Sequence, residues 1–311
     1  MNRLSERKLV LVTRKTRLEE LVTRYTTVDQ ARFHIEHGSG DFGDYLSEHD
    51  TYQTVLHEVE GVLTRLGRVQ RVDRGFLPNF LFGPDDIVIV VGQDGLVANT
   101  LKYLRGQPTL AINPDPQRYE GVLLPFTTKD VNPVTREVLR KSRPTRSITL
   151  AEALLNDGQR LLAVNDLFIG QRAHASARYT LRVGNANERQ SSSGIIVSTG
   201  LGSTGWMRSI IAGSQGVLAA LGRGPSEPLN ARLDWDAPSL RFAVREPWPS
   251  VNSGASLVYG DVSEHAPLAI ESEMPENGVI FSDGQLEDCL IFNSGSRVTV
   301  RVADVKGQLV I

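Results

Sequence analysis

Four short segments of this 311-residue chain combine residue types that could carry chemistry. The first, Gly92-Gln93-Asp94-Gly95, follows an apolar run and precedes a segment with helical spacing. Its glycines let a phosphate approach the backbone, and a helix N-terminus favours negative charge. Asp94 could act there as a base or hold Mg²⁺. Taken alone, these four residues are explained at least equally well by an ordinary turn in which Asp94 caps the helix.

The other three segments lie further along the chain. Asn165-Asp166 follows a predicted strand, and an amide beside a carboxylate offers donors and acceptors to the hydroxyls of a ribose. Thr199 to Gly205 (TGLGSTG) is rich in hydroxyls and backbone N–H groups, which suits an anion. Ser282-Asp283-Gly284-Gln285 predicts a hairpin turn. Each segment is weak by itself, because Asn, Asp, Ser and Gly are common turn residues.

The composition narrows the classes of protein to consider. With 40% hydrophobic residues and 23% charged residues the chain is typical of a globular protein. Lys plus Arg number 34 and Asp plus Glu 36, so a net charge of -2 gives no overall attraction to nucleic acid or to an anionic membrane. A single cysteine excludes an internal disulfide and a multi-thiolate zinc site. We find no signal peptide or spanning segment, and we expect a cytoplasmic protein.

The elements that must position these segments differ between the two halves of the chain. In the first half, strand-like runs at Lys8 to Thr13, Asp86 to Val91 and Thr109 to Asn113 alternate with segments of helical spacing. These segments include an apolar stripe from Tyr52 to Leu66 and a predicted helix from Leu96 to Leu104. Strands alternating with helices predict a parallel sheet. Apolar and polar residues alternate from Ala177 to Val183, which predicts a half-buried strand. After residue 180 short apolar runs, including Ser256 to Tyr259, are separated by turns, which is typical of antiparallel strands.

The predicted fold is therefore an α/β N-terminal domain with a parallel sheet, followed by a β-rich, sandwich-like C-terminal domain. We place the nucleotide-binding α/β domain at residues 1–145 and the β-rich domain at residues 146–290. The boundary falls where Arg143, Pro144 and Arg146 interrupt the pattern. Residues 291–311 predict C-terminal strands that could return to the first domain.

In this order the four segments resemble the motifs of the NAD kinase family, specifically its mitochondrial-type branch. That family has a G-G-D-G-T turn, an Asn-Glu pair, a T-G-T-G-S loop and a late D-G turn. The counterparts here are Gly92 to Leu96 (GQDGL), Asn165-Asp166, Thr199 to Ser203 (TGLGS) and Asp283-Gly284. The segment from Ala111 to Pro125 also looks like that branch. The resemblance covers about residues 85 to 290.

The resemblance implies transfer of a phosphoryl group from ATP to the 2′-hydroxyl of the adenosine ribose of NAD, giving NADP. Asp94 would be the catalytic base, and Gly92, Gln93 and Gly95 would lie at the ATP phosphates. The NAD site would include the polar pair and the glycine-rich loop, namely Asn165, Asp166, Thr199, Gly202, Ser203 and Thr204. Asp283 is a possible further site residue.

The resemblance also implies a cofactor and an assembly state. Mg²⁺ or Mn²⁺ would be bound mainly through the nucleotide phosphates, with no protein ligand identified. The partners would be small-molecule nucleotides, with no nucleic acid and no membrane, and the chain would form a homodimer or a larger homo-oligomer.

Three departures from the family pattern leave alternatives open. Gln93 replaces a glycine, which would cost about 1–2 kcal/mol if the position needed a positive φ. Leu96 replaces a threonine hydroxyl, and Asp166 is one methylene shorter than Glu. Because GGDGT is replaced by GQDGL, a non-catalytic NAD-binding regulatory protein is one alternative. A related kinase with a different phosphate donor or acceptor is the other.

Overall fold

A computed structural model of the protein describes residues 3–224, 230 and 232–311. The chain divides into two compact units. The first comprises Met1–Arg146 together with Gln308–Ile311, and the second comprises Ser147–Gly307.

The first unit alternates strands and helices along the chain. Its elements are β1 (Lys8–Thr13), α1 (Arg17–Tyr25), α2 (Val28–His37), α3 (Phe42–Leu66), β2 (Arg68–Asp73), β3 (Ile87–Val91), α4 (Asp94–Leu101), β4 (Pro108–Ile112) and α5 (Val131–Leu139). Their order along the chain explains the parallel sheet, because parallel neighbours need a crossover between them.

The sheet of the first unit has the strand order β2-β1-β3-β4, with every neighbouring pair parallel. The residues of β3 are fully buried, as expected for a parallel strand with both faces covered. Helix α3 packs on the sheet through a stripe of buried residues that includes Tyr52, Leu56 and Leu63. Helix α1 begins at a capping box, in which Thr16 and Glu19 satisfy each other's backbone N–H groups.

The second unit consists mostly of antiparallel strands. They are β5 (Thr145–Leu155), β6 (Arg160–Ala163), β7 (Asp166–Gln171), β8 (Ala177–Val183), β9 (Ala186–Ser192) and β10 (Ile195–Ser198), then α6 (Trp206–Ala220), β11 (Leu240–Val244), β12 (Tyr259–Val262), β13 (Leu268–Ser272), β14 (Gly278–Ser282), β15 (Gln285–Ile291) and β16 (Arg297–Val310). The end of β16 belongs to the first unit, where Gln308 and Leu309 pair with β4 in parallel.

Two antiparallel sheets of the second unit share one core. One has the order β12-β11-β10-β7-β14-β15, and the other contains β13 between β16 and β8, with β9 beyond β8. Alternate residues of both sheets, including Ile169, Tyr179, Phe242 and Ile270, are buried together. The predicted fold class, an α/β domain with a parallel sheet followed by a β-rich sandwich, is confirmed.

Several element boundaries differ from the predicted ones. Helix α4 begins at Asp94 and not at Leu96, because Leu96 N already donates to the carbonyl of Gln93. Helix α3 begins at Phe42, ten residues before Tyr52, the first residue of the apolar stripe, and Asp41 caps it. Strand β12 begins at Tyr259, later than the run that was expected to form it.

None of the helices in the described residues is long and apolar enough to cross a membrane.

Candidate functional site

The Asp94 carboxylate is held in one orientation at the edge of the parallel sheet. Strand β3 ends at Val91, and ligands of open α/β sheets bind at the carboxyl ends of such strands. Asp94 is half-buried, and its Oδ1 accepts a 2.6 Å hydrogen bond from the backbone N–H of Leu123. For Oδ2 the described residues provide no partner. The carboxylate therefore has one fixed oxygen and one oxygen that can accept a proton.

The loop after β4 places the Leu123 N–H. Asn113, which is 6% exposed, donates from its amide to the carbonyl of Tyr119 at 3.0 Å. Its Oδ1 accepts from the N–H of Asp115, also at 3.0 Å. Gly121 has φ +70°, and a Cβ there would lie 2.6 Å from Asn113 Nδ2. Only glycine fits this close approach, which brings the following residues over Asp94.

The turn around Asp94 accommodates both departures from the family motif. Gln93 has φ -115° and ψ 168°, an extended backbone that any residue adopts, so glycine is not needed there. Leu96 is 3% exposed and packs beneath Gly92, where an added Cβ would lie 2.7 Å from Leu96 Cδ2. At Gly95 an added Cβ would meet nothing within 4 Å. The fold itself therefore leaves open space above position 95.

In the second unit, Asp283 holds the backbone of the Asn165-Asp166 pair. Its Oδ1 accepts from the N–H groups of Asn165 at 2.7 Å and Asp166 at 3.3 Å, and its Oδ2 accepts from Val164 N at 3.1 Å. Asp283 and Gly284, with φ of 52° and 72°, form the two-residue hairpin turn between β14 and β15. Asp283 thus positions the pair. The described residues contain no hydrogen-bond partner for the Asn165 amide.

The carboxyl group of Asp166 has a buried oxygen, Oδ1, that lacks a hydrogen-bond partner within the described part of the chain. Burial raises the pKa of Asp166 to about 7. The Ser198 hydroxyl opposes this rise in pKa, and the negative charge of Asp283 adds to it. Unpartnered buried acceptors destabilise a protein.

The glycine-rich loop packs tightly against the same pair. Thr199 donates from its hydroxyl to the carbonyl of Val164 at 2.5 Å, and its backbone N–H donates to the carbonyl of Asn165 at 2.9 Å. An added Cβ at Gly202 would overlap the Asn165 carbonyl. Glycine is therefore required at position 202 by the protein's own packing.

The two remaining hydroxyl residues of this loop differ in exposure. Ser203 is 2% exposed, and its hydroxyl donates to the carbonyl of Gly200 at 2.6 Å and accepts from Leu233 N at 3.2 Å. Thr204 is exposed, with its hydroxyl 3.3 Å from the carbonyl of Leu201. The buried hydroxyls shape the loop, and Thr204 presents a hydroxyl at its surface.

A set of ion pairs in the first unit is not among the site residues predicted from sequence. We term it the arginine cluster: Arg14, Arg17, Arg118, Asp44 and Glu48. Arg14 lies 2.6 Å from Glu48, and Arg17 and Arg118 each lie 2.6 Å from a different oxygen of Asp44. Although burial opposes it, the hydrogen bond and charge of Arg14 hold the pKa of Glu48 below its ordinary value. Arg14 directly follows the buried strand β1, just as the Gly92 turn follows β3, and this position is the signal in the sequence that marks it.

The described residues contain no group of three or more His, Cys, Asp or Glu side chains arranged to hold a metal ion. Leu123, which supplies the N–H to Asp94, is likewise not among the residues predicted from sequence, because a backbone donor leaves no signal in residue type.

Comparison with known proteins identifies the fold. No family model and no curated protein matches the sequence. An NAD kinase from Archaeoglobus fulgidus in complex with ATP matches with a TM-score of 0.55 and 17% identity, covering 98% of this chain and 93% of that chain. Yeast NADH kinase complexed with NADH matches with a TM-score of 0.56 and 16% identity, covering 98% and 84%. The chain therefore has the fold seen in NAD and NADH kinases.

Proposed function

We propose that this protein is an NAD kinase of the mitochondrial-type branch, which transfers a phosphoryl group from ATP to the 2′-hydroxyl of the adenosine ribose of NAD and so forms NADP. The observation that carries the proposal is the Asn165-Asp166 pair, whose backbone Asp283 fixes and whose Asn165 amide has no hydrogen-bond partner among the described residues. A ribose diol has both the hydroxyl donors and the acceptors that this pair lacks. The shared fold supports the proposal.

The proposed roles follow from exposure and hydrogen bonding. Asn165, Asp166 and Thr204 would contact NAD. The other residues proposed for this site act by shaping it: Thr199, Gly202, Ser203 and Asp283. In the first unit, Gly92, Gln93 and Gly95 would lie at the ATP phosphates, where position 95 offers open space for a phosphate to approach the backbone.

Asp94 would accept the proton of the 2′-hydroxyl at Oδ2, while the Leu123 N–H holds Oδ1. The ribose oxygen then bonds to the γ-phosphorus as the bond to the ADP oxygen breaks. Phosphoryl transfer depends mainly on positioning and on charge stabilisation. A carboxylate held by a backbone donor supplies the positioning.

The divalent cation would be carried on the phosphates of the donor, since the described residues do not form a cluster of metal ligands. We therefore assign it no protein ligand. We also propose that the protein works in the cytoplasm as a homo-oligomer.

The test is NADP formation from NAD and ATP in the presence of Mg²⁺. Asp94→Asn should lower the rate by about 10²–10⁴-fold while NAD binding persists, because only the base is lost. Asp157→Asn, an exposed carboxylate in the second unit, is the matched control and should keep full activity. Absence of NADP with every nucleoside triphosphate and with polyphosphate would refute the proposal.

The two alternative functions predict different results in binding and activity assays. A regulatory protein would bind NAD without turnover, and a related kinase would phosphorylate another acceptor or use another donor. The extended backbone at Gln93 removes one reason for favouring them. Screening acceptors and donors with the wild-type protein separates the three.

A further inference from the structure

The arginine cluster lies at the same edge of the parallel sheet as Asp94. Strands β1 and β3 are parallel neighbours, with Val12 opposite Val90, so the residues that follow the two strands are adjacent. The hydroxyl of Tyr52 joins them, since it accepts from Arg14 N at 3.1 Å and donates to the carbonyl of Val91 at 3.0 Å. Arg14 is thus connected to the residue that immediately precedes the Gly92 turn.

A second connection runs through the loop after β4. Arg14 donates from Nη2 to the hydroxyl of Tyr119 at 3.0 Å. Four residues later the same loop supplies the Leu123 N–H that fixes Asp94. The cluster and the proposed base therefore share one supporting loop.

The cluster has a buried half and an open half. The side chains of Arg14 and Glu48 are 9% and 3% exposed, whereas those of Arg17, Arg118 and Asp44 are 39%, 26% and 41% exposed. Ion pairs open to water contribute little stability. The Asp44 carboxylate can therefore be exchanged for another anion at small cost, while the buried pair stays in place.

The open half has the geometry of an anion site. The guanidinium groups of Arg17 and Arg118, from separate segments of the chain, meet on one carboxylate at 2.6 Å each. Guanidinium groups bind phosphate oxygens with the same geometry. Each group is also anchored away from Asp44, since Nε of Arg17 lies 3.4 Å from Glu48 and Nε of Arg118 lies 3.6 Å from Asp115. The cluster thus presents two anchored guanidinium groups to one anion.

We propose that Arg17 and Arg118 form a subsite for a polyphosphate group, and that Asp44 fills this subsite until the polyphosphate displaces it. The turn from Gly92 to Leu96 has no cationic side chain, so a multiply charged phosphoryl donor needs cations from elsewhere in the chain. Naming that donor as ATP rests on the proposed function. The subsite itself requires only a polyphosphate anion.

The test substitutes either the arginines or the aspartate of these ion pairs. Calorimetry then measures the binding of inorganic tripolyphosphate to the full chain. Arg118→Gln and Arg17→Gln should each weaken binding by about tenfold or more, because a charge-assisted contact is lost. Asp44→Asn should tighten it by about threefold to tenfold, because the internal competitor is removed. A purely structural role predicts no such opposition, since each of the three variants breaks at least one ion pair of Asp44.

Matched controls lie on α1, which carries Arg17, and on α3, which carries Asp44. Arg24→Gln on α1 and Asp50→Asn on α3 make the same charge changes at exposed positions and should leave binding unchanged. Equal weakening by Asp44→Asn and Arg118→Gln, or no response to either, would overturn the subsite.

The result is separable from the proposed function. Opposite responses of tripolyphosphate binding in a protein that makes no NADP would support the subsite and refute the NAD kinase proposal. If the protein forms NADP and none of the three cluster substitutions alters the KM for ATP, the NAD kinase proposal is supported and the subsite is refuted.

Discussion

Asp166→Asn should stabilise the unliganded protein, because the folded chain keeps a carboxyl group where its charge is disfavoured. Burial raises the pKa of Asp166 from its ordinary value of 3.8 to about 7. Each pKa unit of that difference corresponds to about 1.4 kcal/mol. Above pH 7 the ionised group therefore lowers the free energy of unfolding by about 4 kcal/mol. An asparagine amide carries no charge and avoids this cost.

The sign of the pH dependence follows from where the proton is held. Below pH 3.8 both the folded and the unfolded chain keep the proton, and the cost is absent. Between 3.8 and about 7 the unfolded chain releases it while the folded chain retains it, so the wild type loses stability relative to the variant as pH rises. Above about pH 7 the difference is constant.

The assay can isolate the second unit, because all three tryptophans, Trp206, Trp235 and Trp248, belong to it. Urea unfolding followed by tryptophan fluorescence at several values between about pH 5 and about pH 8 gives the stability difference directly. Asp157→Asn is the control. Hydrogen bonds from the backbone and side chain of Gln159 hold the pKa of Asp157 below its ordinary value, so this variant should gain no stability as pH rises.

A stability difference that is independent of pH, or a variant less stable than the wild type at about pH 8, would refute the reasoning. Asp166→Asn should also bind NAD more weakly, because the ionised acceptor for the ribose hydroxyls is lost. In the wild type NAD affinity should rise as the pH passes through about 7, where Asp166 ionises. Calorimetric titration with NAD should show that rise in the wild type and a flat profile in the variant.

Three further substitutions test single contacts. Gly95→Ala should leave the melting temperature unchanged, because the added methyl meets nothing within 4 Å; it should raise the KM for ATP about tenfold if a phosphate approaches that backbone. Asp283→Asn should lower the free energy of unfolding by about 2 kcal/mol, since three backbone N–H groups lose a charged acceptor; unchanged tryptophan-detected unfolding would argue against its positioning role. Leu96→Thr should cost about 2 kcal/mol or more through the lost packing of a side chain that is 3% exposed; a gain in NADP formation would instead favour the regulatory-protein alternative.

The sequence by itself was sufficient to predict the strands and turns whose residue patterns are local. The bounds of β1 match the predicted run Lys8 to Thr13, and β8 matches the alternation from Ala177 to Val183, because burial of one or both faces imposes a repeat that is visible in the residues. The turn at Asp283 was predicted for a similar reason, since Gly284 follows it between two apolar runs.

Only the tertiary structure decided what the candidate residues contact. Leu123 is 29 positions from Asp94, yet its N–H fixes the Asp94 carboxylate. Asp283 is 118 positions from Asn165, yet its carboxylate fixes the backbone of the proposed ribose-binding pair. The raised pKa of Asp166 likewise comes from burial by the strands and loop around it. A hydrogen bond between distant segments depends on how those segments pack, and side-chain periodicity reports which face is buried but not which residue lies opposite.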